Sequence, residues 1–333
     1  MRALLILFLM SSGLFAMDGG AQASPGKLDP FLQPQKIAFD YKVYVQKPKG
    51  RSLRLWLPFP MEDGDQKVLS YKVITKPNLK TGWSLSASDP YGNKMLYFDL
   101  PSSEIPAKTG LEISVRYQVE RRPTGPIGIS ELKGRSDLDP GLYLSFNQWL
   151  KTNETIEKMG KVATGKAKSS SQKVRALYDH VFDIMAYNKD GKGWGQGDPI
   201  WACTAKRGNC TDFHSLYIAM ARGLNIPARF EIGVPLPNHL NKGEIPGYHC
   251  WARVYDAEKG WIPIDASEAK KANARDQYFG QLPSDRIAFS AGRNLTLSPP
   301  QSGGGINYFI YPYAEVDGKP FEEVTKKFVF QRL

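Results

Sequence analysis

Arg207-Gly208-Asn209-Cys210-Thr211-Asp212-Phe213 sets a cysteine just after a glycine turn and at the head of a run that reads as a helix. Phe213, Tyr217, Met220 and Leu224 recur behind it at helical spacing, and Gly223 and Asn225 mark the end. A helix N-terminus aims unpaired N–H groups at its first residue. They lower the pKa of a thiol there and can stabilise an oxyanion beside it. Taken alone, a free cysteine is as often a buried structural residue.

The segments after the helix change that balance. Strand-like runs follow at about 228–234, 248–255 and 261–265. Alternation puts His249, Trp251, Arg253 and Tyr255 on one face and Cys250, Ala252 and Val254 on the other. A turn at Glu258-Lys259-Gly260 pairs the last two runs and brings Asp265 toward His249. A thiol, an imidazole to take its proton and a carboxylate to orient the imidazole make a thiol acyl-transfer set. A zinc site built from Cys203, Cys210, His214, His249 and Cys250 is the competing use of these residues. No paired-cysteine knuckle supports it, and neighbours His249 and Cys250 point to opposite faces, so neither metal nor cofactor is expected.

Four spaced motifs carry a family resemblance. The stretch 207–213, Gly223-Leu224-Asn225-Ile226-Pro227-Ala228-Arg229, His249 with Trp251, and Trp261-Ile262-Pro263-Ile264-Asp265 resemble the transglutaminase-like superfamily of bacterial secreted proteins. The resemblance spans about residues 140–290 and implies a papain-like core with Cys210, His249 and Asp265 as its triad. It also implies a polar or aromatic oxyanion or substrate-lining group upstream of the cysteine, for which Tyr187, Trp194 and Gln196 are candidates. The Gly-Gln-Cys-Trp form of animal transglutaminases is Gly208-Asn209-Cys210-Thr211 here, which argues against protein crosslinking. Gly292-Arg293-Asn294-Leu295 and Tyr308-Phe309-Ile310-Tyr311-Pro312-Tyr313 resemble a segment of bacterial members, with no role implied.

Outward from this core the chain divides. Residues 1–23 read as a signal peptide: Arg2, an apolar run from Ala3, and a small-residue cleavage site at Ala21-Gln22-Ala23. The run is short for a membrane anchor, the competing interpretation, and no later run reaches spanning length. Partly alternating strands separated by turns make 24–135 an antiparallel β-sandwich. Residues 136–290 form the catalytic α+β domain, and 291–333 supply C-terminal strands packing on the preceding domains. The fold class is α+β. The Gly-rich stretch 190–198 has neither phosphate-loop nor calcium-hand spacing, which leaves a substrate-lining or a plain surface loop.

With 41% hydrophobic and 23% charged residues, the composition is that of a globular chain. The net charge of +11 is spread without a dense basic block, so nucleic acid is not an expected partner. Three cysteines are an odd number for an exported chain. With Cys210 as nucleophile, Cys203 and Cys250 are the pair left for a disulfide. The expectation is a periplasmic or secreted cysteine peptidase or deamidase, with amine transfer as a variant, acting on a peptide or protein amide of the cell envelope. The alternative is a non-catalytic envelope protein that binds peptide or glycan on the same fold.

Overall fold

A computed structural model describes residues 29–333; the signal segment expected over 1–23 lies outside them. Six strands come first: β1 (Gln35–Val45), β2 (Ser52–Pro58), β3 (Gln66–Lys76), β4 (Trp83–Leu85), β5 (Met95–Pro101) and β6 (Leu111–Arg121). Next come α1 (Glu154–Thr164), α2 (Ser170–Ile184), β7 (Ala186–Tyr187), α3 (Pro199–Ala205), β8 (Arg207–Gly208) and α4 (Cys210–Gly223). The chain continues with β9 (Ala228–Pro235), β10 (Lys242–Ile245), β11 (His249–Asp256), β12 (Gly260–Ile264), α5 (Ala266–Ala272) and β13 (Arg286–Ala291). Strands β14 (Tyr313–Val316), β15 (Lys319–Pro320) and β16 (Val324–Arg332) end it.

Two five-stranded antiparallel sheets, ordered β10-β16-β1-β6-β3 and β15-β14-β2-β5-β4, form the sandwich. Alternation on β1 sends Ile37, Phe39, Tyr41, Val43 and Val45 inward, where they join Leu53, Leu55, Leu57 and Phe98 from the other sheet. A four-stranded sheet ordered β12-β11-β9-β13 carries α4, which is also flanked by α1, α2 and α3. Residues 210–222 of α4 are all buried, as a helix packed on every side must be. The core is continuous: Phe289 of β13 lies 5.6 Å from Phe39 and 6.0 Å from Tyr41, ring to ring. Among the described residues, no helix is long and apolar enough to cross a membrane.

The C-terminal strands do more than pack on what precedes them. Strand β14 pairs with β2 (Tyr313 opposite Trp56) and β16 with β1 (Phe328 opposite Tyr41), so both are integral to the sandwich sheets. Between the strand-like runs 228–234 and 248–255 the structure adds β10, which covers the outer edge of β16. Alternation tells which face of a strand is buried but not which strand lies beside it.

Candidate active site

The turn into α4 is built around one carboxylate. Gly208 has φ 149°, and a Cβ there would sit 2.3 Å from Asp212 Oδ2. Asn209 caps the helix, its side-chain oxygen accepting from the Thr211 N–H at 2.9 Å. Asp212 closes the capping box by accepting from the Asn209 N–H at 2.9 Å. The same carboxylate accepts from the N–H groups of Gly195 (2.7 Å) and Gly197 (3.1 Å), which ties the 190–198 loop to the Cys210 turn. From the other side Arg293 donates to the Gln196 and Gly197 carbonyls, both at 3.2 Å, and to Ser215 Oγ at 2.7 Å. Asp212→Ala strands three N–H donors, each worth roughly 1–3 kcal/mol when buried and unpaired. We expect it to lower stability by about 3 kcal/mol and to speed tryptic cleavage at Lys192 several-fold; an unchanged digestion rate would remove Asp212 from the loop's support.

The structure brings Cys210, His249 and Asp265 together. His249 Nε2–H donates to Asp265 Oδ2 at 2.6 Å, and the ring's charge acts on the Cys210 thiol. Burial by itself would raise the Cys210 thiol. Hydrogen bonds with Cys250 and His249 and the charge of His249 outweigh it and hold the thiol well below its ordinary range. Burial by itself would lower His249; the charge and hydrogen bond of Asp265 and the bond to Cys210 instead push it up to about 10. Asp265, which burial would raise, is held well below the usual carboxylate range by His249 and Arg286. The three side chains are nearly sealed: Cys210 is 2%, His249 4% and Asp265 0% exposed.

Asp265 does several jobs at once. Its Oδ2 also accepts from Arg286 Nη1 at 3.0 Å, and its Oδ1 accepts from Ser267 Oγ and the Glu268 N–H, both at 2.9 Å, so it caps α5. Arg286, on β13, lies over the Trp251 ring at 4.9 Å. A second imidazole, His214, bridges the two halves of the site. Its Nδ1–H donates to the Cys210 carbonyl at 2.8 Å, and its Nε2 accepts from the Ala266 N–H at 3.2 Å. Burial lowers the pKa of His214, consistent with this neutral form. Both its nitrogens are engaged, which leaves neither for the zinc arrangement.

The upstream candidates separate. Tyr187 pairs with Gly208 between the two short strands; burial first and then the charge of Cys210 raise its pKa. The Trp194 indole N–H donates within its own loop, to the Gly191 carbonyl at 3.1 Å. Gln196 contributes its backbone carbonyl to Arg293 and Asn307, and its side chain is exposed. The expected Cys203–Cys250 disulfide is not formed: both are free thiols. Cys250 lies against the first turn of α4, 3.7 Å from His214 Nδ1 and 3.8 Å from Thr211 Oγ1, whereas Cys203 sits on α3. Sequence reasoning missed Arg286 and Tyr248, and weighed His214 only as a zinc ligand. The Asn209-to-Asp212 spacing was a readable capping box; nothing local announces Arg286. Beside His249 a pocket of about 210 Å³ opens, lined by Pro235, Leu236, Asn238, Glu268, Tyr278 and Arg286.

A helix-borne cysteine facing a sheet-borne histidine and aspartate defines a papain-like fold. Residues 157–266 match the transglutaminase-like superfamily model. A candidate cysteine protease from Cytophaga hutchinsonii shares the fold, with a TM-score of 0.55 and 18% identity over 90% of this chain and 97% of that one. An uncharacterized protein of Haemophilus influenzae is 24% identical over 326 residues, 86% of this chain and 87% of the relative. The periplasmic domain of TgpA from Pseudomonas aeruginosa is more distant, at a TM-score of 0.35 and 13% identity over 73% of this chain and 90% of that one.

Proposed function

We propose that this protein is an exported thiol acyl-transfer enzyme that opens an amide or peptide bond. One observation carries the proposal: the buried His249 ring, with the Asp265 carboxylate 2.6 Å from its Nε2, is held high while the neighbouring Cys210 thiol is held low by the charge of that ring. This arrangement favours a thiolate–imidazolium pair before substrate arrives. The Cys210 sulfur adds to the carbonyl carbon, and the carbonyl π pair moves onto oxygen. The Cys210 N–H, which the Asn209 cap leaves free by taking Thr211 instead, can receive that oxyanion. His249 gives its proton to the departing amine, leaving a thioester. Water then loses a proton to His249, attacks the thioester and releases the acid. An amine in place of water gives transfer. Hydrolysis, as peptidase or deamidase, is the preferred course, because no amine-acceptor site stands out. Export to the periplasm or beyond rests on the signal-like segment 1–23.

Iodoacetamide alkylation followed across pH tests the thiol directly. A low Cys210 pKa predicts a rate that reaches its plateau well below the pH at which an ordinary thiol ionises. That pair then loses its imidazolium as pH rises through about 10, the value for His249. Cys210→Ala is expected to abolish the fast adduct. If Cys210 labels no faster than in denatured protein at neutral pH, the activated-thiol proposal fails.

A further inference from the structure

We propose that the Tyr248 hydroxyl is the second donor to the oxyanion, acting with the Cys210 N–H. This rests on the thiol acyl-transfer mechanism above and adds a catalytic residue to it. Tyr248 immediately precedes His249, but its hydroxyl reaches across to the turn that carries the nucleophile. It accepts from Asn209 Nδ2 at 3.1 Å and lies 2.9 Å from Thr211 Oγ1. These are the two residues that flank Cys210, so the hydroxyl sits over the first turn of α4, where the Cys210 N–H emerges. No upstream candidate is tied to that turn in this way: the Trp194 N–H is used in its own loop.

The hydrogen-bond arithmetic suits a donor. The Asn209 amide can only give to Tyr248 through Nδ2, and Thr211 can either give or take. With both neighbours donating to the phenolic oxygen, its single proton is free to point at a developing negative charge. Burial first, and then the charge of Cys210, raise the Tyr248 pKa well above normal, so the proton stays in place at every working pH. The ring is also fixed. It packs against Tyr308 at 5.5 Å and Tyr311 at 6.0 Å, and the Tyr308 hydroxyl lies 3.4 Å from that of Tyr248. A donor held before the charge appears needs no reorganisation in the transition state. The C-terminal segment 308–313 thereby acquires a use: it supports the oxyanion donor.

Two probes separate this role from a structural one. p-Nitrophenyl acetate acylates Cys210 through a tetrahedral oxyanion. Sulfur adds to the carbonyl carbon, the π pair moves to oxygen, and collapse expels p-nitrophenolate. Iodoacetamide alkylates the same sulfur by displacement of iodide, with no oxyanion. In the full chain, Tyr248→Phe is expected to slow the p-nitrophenolate burst about 100-fold, the usual cost of one lost oxyanion donor. Its alkylation rate should stay within about 3-fold of wild type, which also reports that the site is folded. Equal falls in both rates would make Tyr248 a structural residue. An unchanged burst, or a burst lost in Tyr187→Phe but kept in Tyr248→Phe, would overturn the assignment while leaving the thiol mechanism standing. A burst that survives in Cys210→Ala would overturn both.

Discussion

Asp265→Ala is expected to destabilise the protein by about 3–5 kcal/mol and to slow acylation of Cys210 by on the order of 10³-fold or more. The size follows from what the carboxylate holds. It receives His249 at 2.6 Å and Arg286 at 3.0 Å, and it caps α5 through the Glu268 N–H at 2.9 Å. Its removal leaves Arg286 buried without its counter-charge, which costs more than the pair itself contributes. It also frees the His249 ring to turn and lets its pKa fall, so the thiolate loses its cation. Asp265→Asn separates the two effects, because it can still cap α5 and accept one bond while losing the charge. The Asn variant should recover a good part of the stability and little of the acylation rate.

The pH dependence of this effect has a defined sign. Asp265 is depressed in the folded state, so its contribution is complete above the ordinary carboxylate pKa and is lost only in strong acid. His249 is raised to about 10, so its contribution is complete below an ordinary imidazole pKa and fades as pH rises through about 10. Urea unfolding of wild type and Asp265→Ala at pH 6 and at pH 10 should show a gap that narrows at the higher pH. A gap that is constant or grows would mean that the His249–Asp265 pair does not contribute as described.

Gly233→Ala is the second large effect, and it reaches the site through the sheet. A Cβ at Gly233 would lie 1.9 Å from the Ile287 carbonyl oxygen, 2.8 Å from its carbon and 3.0 Å from Ala288 Cα. All three are backbone atoms, so no side chain can swing aside; β9 and β13 must separate. The pairing is already irregular there, with a register shift between Ala288 and Ser290. Strand β13 begins with Arg286, so a displaced β13 draws the guanidinium from Asp265. A loss of about 2–4 kcal/mol is expected, of the kind seen when a packed core is overfilled. Differential scanning calorimetry together with iodoacetamide labelling checks it. A Tm within a degree of wild type would mean that the strands part at no cost, and the close approach would carry no structural weight.

What could be read along the chain was what local geometry encodes. A cysteine behind Gly208 and Asn209, a helical repeat after it and alternation around His249 each occupy a few residues, and the three side chains meet as those patterns imply. Partners distant in sequence left no such trace. Arg286 reaches Asp265 from another strand, and the Tyr248 hydroxyl crosses to the nucleophile turn from the start of β11. Counting thiols paired Cys203 with Cys250, but direction decides such bonds, and Cys250 points at the foot of α4. The sandwich was legible from Ile37 to Val45 by its alternation. The neighbours that β1 and β2 take from the far end of the chain were not, because a strand's own residues specify a buried face rather than a pairing partner.

The pairing of β1 with β16 also sets an order of events during synthesis. Strand β1 leaves the ribosome early and must wait for nearly all the rest of the chain before its outer partner exists, a contact of high sequence separation that closes slowly. Tyr308 and Arg293, which brace Tyr248 and the 190–198 loop, belong to the same late stretch. Both braces thus come from sequence that follows Cys210, His249 and Asp265. A chain cut before Arg293 would carry Cys210 without either brace.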